Sequence, residues 1–157
     1  MDSINTLGNP KLAQQKFANR QKLLEYLEAE ELFSNPARQA RFKTLCLSLF
    51  DHCDCLFSQW QLTILIQVTA FAIARNVQIY KIKTEGELAV SFDTKTHLLK
   101  VVFNSGADLY ETDLIHKLTG QSMKNEDVYA EDFIEIMDLI KAQALANSSP
   151  IIAIKIK

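Results

Sequence analysis

The chain has 157 residues, 48% of them hydrophobic and 23% charged, with a formal net charge of -2. That length buries a core without disulfide or metal staples, and that balance excludes a strongly basic nucleic-acid binder and an acidic tail. Three cysteines without scaffold spacing, and a polar start (MDSINTLGNPKLAQQ) where a secretory signal would be apolar, point to a reducing cytoplasm. The most apolar region, LTILIQVTAFAIA (62–74), is too short to span a bilayer and is broken by Thr63, Gln67 and Thr69.

Residues 1–9 read as a flexible arm, after which Asn9 can cap a helix that takes Pro10 at its first position. Phe17, Leu24 and Leu27 then recur at helical spacing, predicting a helix to about Phe33. Its charges oppose its own dipole: Lys11, Lys16, Arg20 and Lys22 come early, and Glu25, Glu28, Glu30 and Glu31 come late. After a turn at Ser34-Asn35-Pro36, a second helix opens with Arg38, Arg41 and Lys43. Folding back would set the acidic end of the first against the basic start of the second, so 10–57 reads as a helical hairpin.

A capping box, Ser58-Gln59-Trp60-Gln61, starts a third helix to about Asn76. It is apolar nearly all round, as a central core helix would be. The period then switches to that of strands: VQIYKIK (77–83), ELAVSF (87–92) and HLLKVVF (97–103) predict a three-stranded antiparallel meander. A box-like Asp108-Leu-Tyr-Glu111 start, with Gly120 at the other end, predicts a short helix over 108–119. A longer helix is expected over 126–146, and IIAIKIK (151–157) reads as a last strand. The expected class is α+β. One domain, 1–157, would join the hairpin to a core over 58–157 whose C-terminal strand completes a four-stranded sheet.

FDHCDCLF (50–57) is the most chemically loaded segment, with two cysteines, two aspartates and a histidine in succession. On a helix over 38–57, Phe42, Leu45, Cys46, Leu49, Cys53 and Leu56 form one apolar stripe, so Cys46 and Cys53 read as core residues. His52 and Cys55 share a face near Asp51 and Gln59, which is fewer strong ligands than a zinc site needs. The only distant candidates to complete such a site are His97, His116 and Asp113. Asp113 and His116 would lie one helical turn apart, as in half of a carboxylate-bridged metal site, but no second motif accompanies them. The expectation is therefore no bound metal and no cofactor.

Two charged surfaces are candidates for partner binding. Glu131, Glu135 and Asp138 would share a face of the long helix, fit for a basic partner. Lys81, Lys83 and Lys100 lie in the strands, where lysines also guard sheet edges. The helix, three strands, helix, strand order is also found in metal-dependent nucleases whose strands supply an acid and an acid-x-Lys pair. Here Asp93 and Lys100 have no companion acid, because Leu98 stands in its place. Phosphate-cradling glycine loops and the G-x-S-x-G elbow do not occur.

These features predict a non-enzymatic cytoplasmic regulatory or adaptor domain acting through protein contacts. Both faces of the third and last strands are partly apolar, so a homodimer is expected unless the hairpin covers the second face. The alternatives are a nucleic-acid-associated protein or degenerate metal-dependent nuclease-like domain using the sheet lysines, and a small-molecule sensor with an apolar cavity near Trp60, Phe71 and the sheet.

Overall fold

The computed structural model describes residues 10–53, 56–104, 106 and 109–148. The expected arm over 1–9 and the expected strand over 151–157 lie outside the described residues. In chain order the elements are α1 (Pro10–Ala29), α2 (Pro36–Asp51), α3 (Gln59–Arg75), β1 (Ile79–Thr84), β2 (Ala89–Thr94), β3 (His97–Asn104), β4 (Leu109–His116), β5 (Ser122–Val128), a 3-10 turn (Ala130–Asp132) and α4 (Phe133–Ser148). The class is α+β. Among the described residues the sheet has five antiparallel strands in sequential order, where four strands were expected in all.

The additional strands come from 109–128, where helices were expected. Residues 109–116 alternate like a strand, with Tyr110, Thr112, Leu114 and His116 on one face and Glu111, Asp113 and Ile115 on the other. Gly120 does not end a helix. At φ 75° it turns the chain from β4 into β5. The sequence of β5, SMKNEDV, has little strand propensity and is exposed except for Val128. Pairing with β4 holds it, and the long helix consequently starts at Phe133 instead of near 126.

The hairpin forms, with earlier ends than expected. Asn35 caps α2 by accepting from the Arg38 backbone N–H at 3.0 Å, with Pro36 in the first turn. The buried Gln39 side chain ties the connection down, accepting from Phe33 N and donating to Glu30 O. The ion pair between the two helices lies at the end opposite to the one predicted. Arg20 of α1 grips Asp51 of α2 at 2.8 and 3.0 Å, so the basic half of α1 meets the acidic end of α2.

At the core, α3 lies between α2 and α4 and packs on the sheet's inner face. Its capping box is present, and Gln61 also donates to the carbonyls of Gly86 and Ala89, both at 3.0 Å, anchoring the β1–β2 turn. A cross-strand row of Ile82, Phe92, Leu99 and Leu114 faces the helices, all buried. From α4, Phe133, Ile136, Met137 and Ile140 close the layer.

Candidate functional site

Of the FDHCDC segment, residues 50–53 form the end of α2 and its exit. Residue 51 ends α2, and the Lys16 ammonium from α1 donates to the carbonyls of Phe50 (3.3 Å) and Cys53 while lying 4.6 Å from the Phe50 ring centre. Asn19 donates to Phe57 O at 2.9 Å, and the Phe57 ring stacks on Phe50 with centres 5.0 Å apart. Lys16 thus sets a cation at the C-terminal end of α2, where the helix dipole favours one, and gives the Cys53 carbonyl a partner. His52 is exposed and its Nδ1 lies 2.8 Å from Ser48 O. Cys55 lies outside the described residues. Cys46 and Cys53 are buried, and burial pushes the Cys46 thiol up to about 12, which leaves it little thiolate character. Among the described residues no three His, Cys, Asp or Glu side chains converge as a metal site would require.

Asp113 and His116 do not share a helix face. On β4 they point to opposite faces of the sheet. His116 instead stands directly opposite His97 on β3, with ring centres 4.8 Å apart in an edge-on arrangement. His116 Nδ1 accepts from the backbone N–H groups of Leu118 and Thr119. His97 is buried, with Nδ1 2.7 Å from the Thr96 hydroxyl, and burial first and His116 second hold it below the ordinary histidine value. The pair lines a cleft of about 340 Å³ beside Met123, Leu139 and Gln143. Sequence reading named both histidines without pairing them, because it missed the strand that puts them in register.

The sheet's outer face carries the lysines. Residues Lys83, Ser91, Lys100, Asp113 and Lys124 lie side by side across the five strands. The next row is Lys81, Asp93, Leu98, Ile115 and Ser122, and Val102 stands beside Glu111. Asp93 pairs with Lys117, and Asp113 accepts from the Ser122 hydroxyl. Leu98, Lys100, Val102, Asp113 and Ile115 are half-buried, whereas Leu99, Val101 and Leu114 on the opposite face are buried. The hairpin is not what covers this face: α2 packs on α3 and near the start of β1, on the inner side.

The acidic trio is divided. Glu131 sits in the 3-10 turn, Glu135 in the first turn of α4, and Asp138 further along, bound to Arg75 at 2.8 Å. Trp60 and Phe71 each lie against another ring. The Trp60 ring stacks on Phe103 (5.4 Å), and Phe71 stacks on Phe133 (6.5 Å). Among the described residues no helix is long and apolar enough to cross a membrane. No family model, no curated protein and no solved structure matches the chain.

Proposed function

We propose that this chain is a non-enzymatic regulatory or adaptor module that works by protein contact and pairs with a second copy of itself through the outer face of its sheet. One observation carries the reading: β3 and β4 set Lys100 beside Asp113 and Leu98 beside Ile115 on that face. A two-fold axis running along the strands, midway between β3 and β4, exchanges the two positions. Each Lys100 then lies over the partner's Asp113, and each Leu98 lies over the partner's Ile115. The patch is self-complementary in charge and in apolar contact, as an isologous interface requires. Face-to-face sheets at about 10 Å allow such side chains to interdigitate.

The nucleic-acid alternative draws on the same lysines. Asp93, Glu111 and Asp113 alternate with them, which weakens the field a phosphate backbone would need. Sedimentation equilibrium on the full chain tests the reading. A dimer that Leu98→Lys converts to a folded monomer supports it. A monomer at all concentrations, or a dimer indifferent to Leu98→Lys, contradicts it, and tight salt-sensitive binding to DNA or RNA would favour the alternative.

A further inference from the structure

At the β1 edge of the sheet, the start of that strand and the turn from β2 to β3 meet α4 around a pocket of about 210 Å³. Its two charged residues are both cations, Lys95 from the turn and Lys141 from α4, and among the described residues no carboxylate lines it. Neither lysine has an ion pair there: the ion pairs among the described residues are Arg20–Asp51, Arg75–Asp138 and Lys117–Asp93. Asp138, three residues before Lys141 on α4, is therefore already engaged. Two cationic residues on one small pocket, with no counter-charge from the protein, repel each other, and an anion between them removes that cost.

The backbone that carries the two lysines is fixed. The Thr94 hydroxyl donates to His97 O at 3.0 Å and accepts from His97 N at 3.1 Å, and Lys117 N donates to Thr96 O at 2.9 Å. The two-residue turn Lys95-Thr96 is thus tied from both sides. Lys141 is half-buried and follows Ile140, which is in the core. Beside the pocket Asn76 ends α3 at φ 58°, and the N–H groups of Asn76 and Val77 turn back to Ile73 O (3.4 Å) and Ala72 O (2.9 Å). These bonds engage carbonyls whose negative ends would oppose an anion. Asn76, Gln78 and Tyr80 add amide N–H and phenol O–H donors to the lining, whereas Ile140 and Ala144 give it an apolar wall.

We propose that this pocket binds a small phosphate monoester, with the phosphate between Lys95 and Lys141 and the carbon skeleton against Ile140 and Ala144. Such a phosphate carries a charge of about -1.5 to -2 at pH 7, which two ammonium groups match and which a single carboxylate does not reach. The volume lies below the range of about 300–1,000 Å³ typical of pockets for drug-sized ligands, so the compound is small. The pocket lies between the sheet and α4, so it stands or falls separately from pairing through the outer face.

The test titrates the isotope-labelled full chain with phenyl phosphate and follows its backbone amide shifts by NMR. Phenol, which lacks the anion, and inorganic phosphate, which lacks the carbon skeleton, are the controls. The expected result is saturable shifts at 94–97 and 140–145 with phenyl phosphate, weaker binding of inorganic phosphate, and none of phenol. Lys95→Ala and Lys141→Ala should each weaken binding about threefold to tenfold, and added salt should weaken it in the wild type. Neither lysine belongs to the buried core, so both variants should keep the wild-type spectrum away from the pocket. Absence of saturable shifts at these residues would overturn the proposal. So would shifts confined to the outer-face lysines Lys81, Lys83 and Lys100, phenol or inorganic phosphate binding as tightly as phenyl phosphate, or unchanged affinity in both variants.

Discussion

Residues 97–103 supply two faces from one strand. Leu99 and Val101 point inward and are completely buried, while Leu98, Lys100 and Val102 point outward and are half-buried. The inner face is apolar across four strands and is closed by α3 and α4. The outer face alternates aliphatic, basic and acidic side chains. The contrast teaches that the fold needs only one of these faces. Among the described residues the aliphatic side chains of the other face stand outside the buried core, and they are where a contact function would be written.

Substitutions at adjacent residues test that contrast most strongly. Leu99→Ala should cost about 2–5 kcal/mol in urea unfolding, through lost burial and a residual cavity. Leu98→Ala, one residue away, should cost about 1 kcal/mol or less in a monomeric chain. Similar costs for the two would dissolve the distinction between the faces.

Gln61→Ala probes how the inner layer is fixed to the sheet. It removes the donor to the Gly86 and Ala89 carbonyls and half of the α3 capping box, so a loss of about 1–3 kcal/mol is expected. Amide exchange should quicken at the β1–β2 turn before it does in β3.

The histidine pair sharpens the comparison through pH, because it lies on the inner face at the open end of the sheet. Folding depresses the His97 pKa below the unfolded value of about 6.5, so the unfolded chain takes up the proton more readily. The stability this contributes is present above about pH 6.5 and is lost as pH falls through the folded-state value. Urea midpoints should therefore drop with acidification over this range, and His97→Gln should flatten the slope. The smallest effect is expected at the surface: Arg20→Ala should cost about 0–1 kcal/mol, since both partners of its ion pair are well exposed to solvent. A double-mutant cycle with Asp51→Ala would isolate that contribution.

Much of the first hundred residues was legible because local chemistry and tertiary packing agree there. Ser58 caps the helix it was expected to start, α2 follows the expected turn at 34–36, and the alternation of 97–103 matches β3. The region 108–128 was not legible for the opposite reason. Asp108, Glu111 and Gly120 mimic helix boundaries, and β5 carries almost no apolar alternation, being a strand by pairing rather than by propensity. With β4 misread, Asp113 and His116 looked like partners although a strand separates them to opposite faces.

The central claim concerns a self-complementary outer face, and native mass spectrometry of two complementary variants tests it most directly. In the proposed dimer, Lys100→Asp sets aspartate against the partner's Asp113 twice, and Asp113→Lys sets lysine against the partner's Lys100 twice. The wild-type chain should be dimeric, each variant alone should be monomeric, and an equimolar mixture should form a one-to-one heterodimer in which both pairs are restored. Variants that stay dimeric alone, or a mixture that stays monomeric while the wild type pairs, would contradict this arrangement of the two copies.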